Sequence, residues 1–230
     1  MNESERIARF YQGLETRVGN RWSLDNPGNR AIFTERKRMF RRLLDDAGWV
    51  PFADRRALEV GSGNGHELAW LVELGARPSH LVGVDLVENR IQSARSSYPE
   101  MVFRVGNAER LEDADETYDL VMAITVFSSL IERRMAQNVA SEIVRVLKPG
   151  GGLLWYDLRY DSVANPNIKA VPRSRIGQLF PSLRGRLRTV TVLPPLARRL
   201  GPATPAVYPA LALFPPLRSH LVGLLRKPGA

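Results

Sequence analysis

Three glycines within five positions make up the part of this sequence best suited to holding a small molecule. They follow the apolar run 57–60 in the segment EVGSGNG, which contains Glu59, Gly61, Ser62, Gly63 and Gly65. Glycine permits backbone angles that other residues avoid, and its missing Cβ lets a ligand lie against the main chain. A dinucleotide fingerprint would need a small residue at position 66, where this chain has His66. The loop therefore indicates a bound cofactor and weighs against a dinucleotide.

A carboxylate follows at Asp85, twenty residues after Gly65 and at the end of the apolar run 81–84. An acidic side chain there points into the crevice above a parallel sheet, where its oxygens can accept hydrogen bonds from both hydroxyls of a ribose. The alternative is an ordinary aspartate that caps a helix. Beside the glycine loop, Asp85 predicts a nucleoside.

Side chains that could take a proton occur where a substrate would enter, at the carboxyl ends of the strands. Asp157, after the fifth predicted strand, is the first candidate for a general base, followed by His66 and Tyr156. Tyr156, Arg159 and Phe127 could orient the substrate. Each catalytic candidate has a structural alternative, because Tyr156 could be core, Asp157 could cap a turn and His66 could bond only to cofactor or backbone.

Alternating apolar runs and helical patterns supply the elements that must position these groups. Helices are predicted at 34–47, 67–74, 88–97, 135–147 and 173–180, and a turn at 148–151. Strands are predicted at 57–60, 81–84, 102–105, 120–124, 153–156, 187–193 and 219–226. Strands separated by helices imply right-handed crossovers and a parallel sheet covered on both faces. The pattern predicts an α/β, doubly wound fold.

We expect an N-terminal helical cap over residues 1–50 and a main domain over 51–230. The cap offers Tyr11, Trp22 and the polar run 26–30 for closing over cofactor or substrate, with core packing as the alternative for Trp22. Within the main domain, the proline- and leucine-rich insert 194–217, which includes Tyr208, is expected to form a loop with short helices. It could be an acceptor-binding wall or a flap that leans on a membrane, or it could bury its apolar face on the sheet edge.

The amino-acid composition excludes several kinds of functional site. The 230 residues include no cysteine, which excludes disulfides, thiolate metal sites and cysteine nucleophiles, and the three histidines are too scattered for a metal site. The sequence shows neither a signal-peptide pattern nor an apolar run of membrane-spanning length, so we expect a cytoplasmic protein. The net charge of +9 suits anionic partners, but the arginine pairs are scattered and favour solvated helix faces.

Five segments, read in order, connect these observations to a known family. They are ALEVGSGNGHEL, GVDL, GNAERL, YDLVMAITVF and LKPGGGLLWYD, and together they cover roughly residues 55 to 157. In sequence and spacing they resemble the class I S-adenosylmethionine-dependent methyltransferases, in particular the bacterial group called methyltransferase type 11 or 25. The resemblance implies a Rossmann-like seven-stranded sheet, mostly parallel with the last strand antiparallel, and S-adenosyl-L-methionine as cofactor.

The resemblance also implies roles for individual residues. Glu59 and the glycine loop, including Ser62, would surround the methionine part of the cofactor, and Asp85 would hold the ribose. Leu86 would pack on adenine, Asn107 and Ala108 would hold the adenine edge, and Thr125 would lie near the sulfur. Leu86 as a core residue and Asn107 as a turn residue are the alternatives.

These expectations lead to a methyltransferase that acts on a small-molecule, glycan or lipid-linked acceptor, by in-line O-methylation without a metal. Trp22, Phe127, Arg159 and Tyr208 are the candidate substrate-binding residues. An RNA methyltransferase, favoured by the positive charge, and a non-catalytic cofactor-binding protein are the alternatives. Peripheral membrane contact and either a monomer or a homodimer are compatible with the sequence.

Overall fold

A seven-stranded sheet forms the centre of the protein in the computed structural model, which describes residues 2–13, 19–161 and 165–229. The strands lie in the order β3-β2-β1-β4-β5-β7-β6, and among the described residues only β7 runs antiparallel to its neighbours. In chain order, β1 to β7 comprise Ala57–Val60, Leu81–Asp85, Val102–Val105, Tyr118–Ile124, Leu147–Leu158, Arg188–Val192 and Arg218–Arg226. The predicted doubly wound sheet with an antiparallel last strand is confirmed.

Helices cover both faces of the sheet, as the crossovers require. In chain order, α1 to α8 comprise Glu3–Gln12, Pro27–Asp46, His66–Ala69, Glu88–Ser97, Arg133–Val146, Arg173–Leu179, Pro194–Arg199 and Thr204–Leu211. Helices α2, α3 and α4 bury apolar side chains with Met122 and Tyr156 on one face. Helices α1, α5 and α6 do the same with Val121 and Trp155 on the other face.

The helix predicted at 34–47 begins seven residues earlier, at Pro27. The Asn26 side chain accepts hydrogen bonds from the backbone N–H groups of Gly28 and Asn29, and proline suits the first helical position. The polar run 26–30, which the sequence offered for closing over cofactor or substrate, thus forms the start of this helix. Gly28 packs so closely on α7 that a Cβ there would lie 2.2 Å from the Ala197 carbonyl oxygen.

Strand β5 is longer than predicted and includes the segment 148–151, which the sequence indicated to be a turn. The end of β7 explains the difference, because Gly152 pairs with Arg226 and the Arg226 guanidinium donates to the Gly150 carbonyl oxygen at 3.0 Å. The predicted helix 67–74 is one α-helical turn followed by a tighter 3₁₀ segment at Trp70–Leu74. Gly75, with φ of +92°, ends it.

The insert 194–217 forms α7, α8 and two short 3₁₀ turns, as the sequence predicted. Ala197 of α7 and Tyr208 of α8 form a small apolar cluster with Val192, against Ala31 and Ile32 of α2. In the described part of the chain, no helix has both the length and the apolarity needed to cross a bilayer.

Candidate cofactor and active site

The glycine loop joins β1 to α3 in a conformation that requires glycine. Gly61, Gly63 and Gly65 have φ values of +66°, +51° and +80°, in the left-handed region. A Cβ at Gly61 would lie 2.8 Å from Val126 Cγ2, and a Cβ at Gly65 would lie 2.6 Å from the Phe103 ring. Larger side chains would therefore strain the backbone and fill the space that a ligand needs.

Asp85, the last residue of β2, holds the loop in place. One carboxylate oxygen accepts a hydrogen bond from the Gly63 backbone N–H at 2.9 Å, and the other accepts from the Val87 N–H at 2.8 Å. Each carboxylate oxygen has a second lone pair. The side chain is 8% exposed and faces a cavity, so it can accept two more hydrogen bonds from a ligand.

This cavity, of about 120 Å³, lies along the carboxyl edge of β2, β1 and β4. Its walls include six residues that the sequence assigned to cofactor binding: Gly61, Asp85, Leu86, Asn107, Ala108 and Thr125. Thr125 follows β4 with φ of +55°, an uncommon angle for a β-branched residue, and its N–H donates to the Tyr156 carbonyl oxygen at 2.7 Å. The cavity thus extends from the glycine loop to the end of β4.

Helix α1 covers the cavity, with Ile7 and Tyr11 in its wall. Glu3 accepts hydrogen bonds from the Ile131 and Glu132 backbone N–H groups at 2.8 and 3.2 Å. Arg6 donates to the Ser129 carbonyl oxygen at 2.7 Å, and the Tyr11 hydroxyl lies 2.6 Å from Ser129 Oγ. The sequence indicated Tyr11 only as part of a cap, and its spacing could not show that α1 docks beside β4.

Two other assigned residues, Glu59 and Ser62, are buried in the strand-to-loop segment. Glu59 Oε2 and Ser62 Oγ have no hydrogen-bond partner within the protein. Burial, and secondarily the charge of Glu67, raises the pKa of Glu59 well above its ordinary range. Buried acceptors without partners are uncommon, so this segment is prepared for a donor such as an ammonium group.

The three catalytic candidates do not lie together. Asp157 is fully buried, and its oxygens accept from the Ser128 and Leu158 backbone N–H groups at 3.0 and 2.8 Å. Burial raises its pKa to about 6. His66 lies elsewhere, with Nδ1 2.7 Å from the Tyr98 hydroxyl in an exposed pair.

Tyr156 faces the opposite side of the sheet from Asp157, because successive residues of a strand alternate. Its hydroxyl lies 2.9 Å from Thr191 Oγ1, its ring stacks on His220 at 4.5 Å between centroids, and the Arg36 guanidinium lies 5.3 Å from the ring centre. Burial raises the pKa of Tyr156 to about 12. This environment fits the structural alternative for Tyr156.

The four substrate-binding candidates are also dispersed. Phe127 is fully buried against Trp155, and Tyr208 is buried with its hydroxyl donating to Glu35 at 2.8 Å. Trp22 is 57% exposed beneath the Arg198 guanidinium. Arg159 is half-buried beside the insert, where it donates to the Pro215 carbonyl oxygen. The structure therefore groups the predicted cofactor residues far better than the predicted substrate residues.

Further cavity residues were not identified from the sequence. Arg90 lines the cavity and lies 4.7 Å from the Tyr11 ring centre, and Ser129 and Met135 complete the wall. The helical pattern around Arg90 could have indicated which way its side chain points. No such signal exists for Ser129 and Met135, because their positions depend on how the chain returns after β4. Within the described residues, no group of three or more histidine or acidic side chains is placed to hold a metal ion.

Comparisons with known proteins agree with this geometry. Residues 57–151 match the family model described as a methyltransferase domain. The chain is 35% identical over 112 residues to the phthiotriol/phenolphthiotriol dimycocerosates methyltransferase 1 of Mycobacterium ulcerans, covering 48% of this chain and 40% of that protein. It is 30% identical over 125 residues to the arsenite methyltransferase of Mus musculus, covering 48% of this chain and 32% of that protein. The chain thus spans less than half the length of these curated relatives.

The fold is shared with solved methyltransferase structures. A putative sarcosine dimethylglycine methyltransferase from Galdieria sulphuraria superposes with a TM-score of 0.66 at 14% identity, over 87% of this chain and 88% of that one. Residues 57–151 therefore form a methyltransferase domain by sequence, on a fold that this solved structure shares. The residues present fit S-adenosylmethionine, because the Asp85 carboxylate faces the cavity and suits a ribose diol, and Glu59 offers an unpartnered acceptor.

Proposed function

We propose that this protein transfers a methyl group from S-adenosylmethionine to an oxygen of a small-molecule, glycan or lipid-linked acceptor. The observation that carries the proposal is the placement of Asp85 in the wall of a cavity that runs from Gly61 to Thr125. That cavity follows the carboxyl edge of the parallel strands, where ligands of this class of fold bind.

The cofactor supplies a methyl group that is already activated on a positively charged sulfur, so the protein's main tasks are alignment and exclusion of water. Asp85 would hold the ribose, Leu86 and Ala108 would contact the adenine, and Glu59 would accept from the amino-acid end. Helix α1 would shield the cavity from solvent through Ile7 and Tyr11. Transfer in line with the sulfur would place the acceptor beyond Thr125.

We assign Asp157 a positioning role. The hydrogen bond that it accepts from the Ser128 N–H fixes the start of the segment 128–130, and Ser129 and Leu130 line the cavity. A carboxylate that is fully buried and held in this way supports the loop beside the acceptor instead of contacting the acceptor directly. His66 and Tyr156 likewise have partners outside the cavity wall.

The acceptor class rests on the apolar insert. The two curated relatives are named for arsenite and for phthiotriol/phenolphthiotriol dimycocerosates, so similarity of the domain alone does not select an acceptor. Arg159 and Tyr160, directly after β5, donate hydrogen bonds to the carbonyl oxygens of Pro215 and Pro216. This contact brings the apolar insert to the carboxyl edge of the sheet and favours an amphiphilic acceptor.

Binding of S-adenosylhomocysteine tests the cofactor site. Asp85→Ala should weaken binding about a hundredfold in isothermal titration, because it removes two charge-assisted hydrogen bonds of ~1.5–3 kcal/mol each. Asp85→Asn keeps the shape and should lose less, and Asp54→Ala, on the exposed surface, should bind normally. Unchanged affinity in a folded Asp85→Ala variant would contradict the proposed site.

Transfer of tritium from methyl-labelled S-adenosylmethionine tests the acceptor class. We expect label in the organic phase of a bacterial lipid extract or in a polar glycan fraction, and none with Asp85→Ala. Label in purified RNA would instead establish the alternative that the positive charge suggested. Tight cofactor binding without transfer to any fraction would favour a non-catalytic binding protein.

A further inference from the structure

The insert ends in an apolar surface that faces solvent. Leu213 is 73% exposed and Phe214 is 61% exposed, and the exposed Pro215 and Pro216 follow them. We call these four residues the apolar tip. They belong to a run of 18 residues without any charge, 200–217, which lies between Arg199 and Arg218. Large exposed apolar side chains that adjoin one another usually mark an interaction site.

The fold holds the tip in a defined shape. Leu211 and Ala212 pack into the small cluster around Tyr208, and the chain then leaves that cluster at Leu213. The Phe214 N–H donates to the Leu211 carbonyl oxygen at 3.1 Å, and the Leu217 N–H donates to the Phe214 carbonyl oxygen at 3.0 Å. The packed residues Leu211 and Ala212 thus form a base that holds the tip toward solvent.

Two arginines hydrogen-bond to the tip or to its base, and a third lies elsewhere in the insert. The Arg218 guanidinium donates to the Ala212 carbonyl oxygen at 2.7 Å, and that of Arg159 donates to the Pro215 carbonyl oxygen at 3.3 Å. Arg199 is exposed at the end of α7. Tyr160, 38% exposed, lies under the Arg159 guanidinium and contacts Pro216 through its hydroxyl.

The net positive charge of the chain comes from the part of the sequence that contains the tip. Eleven arginines and lysines follow Asp161 in the sequence, and no aspartate or glutamate does. The preceding 161 residues carry 22 cations and 24 acids, so they are close to neutral. An apolar protrusion with a cationic rim matches the interface of an anionic bilayer, where apolar side chains enter the acyl boundary and arginines meet the headgroups.

We propose that the apolar tip docks this protein on membranes that contain anionic lipids. A symmetric contact with a second copy would bring two cationic rims together, which like-charge repulsion opposes. A nucleic-acid surface would use polar donors beside its aromatic side chains, whereas the tip consists of leucine, phenylalanine and proline. The lipid surface satisfies both the apolar centre and the cationic rim.

Docking would also orient the sheet. Arg159 and Tyr160 directly follow β5, so the tip lies beside the carboxyl edge along which the cofactor cavity runs. This consequence rests on the proposed function, since it would bring an amphiphilic acceptor from the bilayer to the active-site edge. The docking itself does not depend on methyl transfer.

Co-sedimentation with vesicles tests the proposal. The full chain should bind vesicles of mixed phosphatidylcholine and phosphatidylglycerol, and should bind pure phosphatidylcholine much more weakly. Leu213→Ser with Phe214→Ser should lower the partition coefficient at least about tenfold. Arg199→Glu should lower it several-fold on anionic vesicles only, and more at low salt than at high salt.

Matched controls distinguish the effect of the tip on vesicle binding from the effect of removing exposed apolar side chains or positive charge elsewhere on the surface. Val72→Ser with Val102→Ser removes two side chains that are 41% and 44% exposed at other surfaces, and Arg134→Glu reverses an exposed charge on α5. Both control variants should bind anionic vesicles nearly as well as the unaltered chain. Asp85→Ala should also bind vesicles normally, so failure of the cofactor site and failure of docking are distinguishable.

Three results would overturn the proposal. The tip variant could bind vesicles as well as the unaltered chain does. RNA could bind with an affinity that depends on Arg199 but not on Leu213 and Phe214, and displace the vesicles. Size-exclusion chromatography could show a dimer that the tip variant alone converts to monomer, which would assign the surface to a second copy.

Discussion

At the scale of single residues, two neighbouring side chains of β5 lie on opposite faces of the sheet, and only one of them supports the site. Asp157 faces the side on which α5 packs and anchors the loop after β4, whereas Tyr156 packs among Phe40, Arg36 and His220 on the other side. Tyr156 ends the predicted strand 153–156 and Asp157 follows it, so the sequence could place both residues at the end of a strand. Their separation depends on strand register, which only the assembled sheet defines.

The pH dependence of stability should reveal the buried carboxyl of Asp157. Its pKa of about 6, against an ordinary value of 3.8, means that the folded protein binds this proton more tightly than the unfolded chain does. The resulting stabilisation is complete below pH 3.8 and is lost as the pH rises through 6. Relative to Asp157→Asn, the unaltered chain should therefore lose ~2 kcal/mol of unfolding free energy between pH 4 and pH 7.

Urea titrations of both proteins across this range provide the measurement. The comparison with the variant is needed because His220 acts in the opposite sense. Burial lowers the pKa of His220 to about 3 from 6.5, so its contribution is present above pH 6.5 and lost as the pH falls. A difference between the two proteins that stays constant with pH would show that Asp157 is not desolvated as described.

At the scale of elements, helix α1 is the part of the site that the sequence described least well. The sequence predicted a helical cap over residues 1–50 but no particular helix at its start, and the capping box between Asn2 and Glu5 explains why a helix forms there. Its docking position depends on Glu3, Arg6 and Tyr11 meeting backbone and side-chain groups of 129–132. Such contacts, more than a hundred residues apart, have no periodic signal in the sequence.

Removing the Glu3 carboxylate should loosen the cover of the cavity. Glu3→Ala leaves the Ile131 and Glu132 N–H groups without their acceptor and deprives Arg6 of its ion pair at 2.8 Å. We expect the dissociation rate of S-adenosylhomocysteine, measured by stopped-flow displacement, to rise about tenfold. Arg9→Ala, exposed on the same helix, is the control, and equal rates in both variants would show that α1 does not retain the ligand.

At the scale of the whole molecule, the predicted division at residue 50 does not correspond to a division of the core. Phe40 and Leu44 of α2 are fully buried in the same cluster as residues of β1, β4 and β5. The order of elements, the sheet topology and the glycine loop followed from local patterns, because each depends on periodicity or on one short motif. Burial of α2 depends on which face of the sheet it meets, and the sequence of the helix alone does not specify that face.

Phe40→Ala should therefore destabilise the entire protein. Loss of a fully buried phenyl ring costs ~3–5 kcal/mol, and we expect a single thermal transition at a lower temperature, with near-UV circular dichroism and tryptophan fluorescence changing together. Phe214→Ala, at a position that is 61% exposed, should change stability little. Two separate transitions in the Phe40→Ala variant would show that the first fifty residues unfold as a unit of their own.

The position of β7 affects how the chain can be assembled during its synthesis. β7 lies between β5 and β6 in the sheet but follows both in the sequence. β6 leaves the ribosome before the strand that joins it to the sheet, so its backbone groups have no native strand partner until translation has passed Arg226. The nascent protein therefore exposes an unpaired strand, which is the kind of intermediate that chaperones bind.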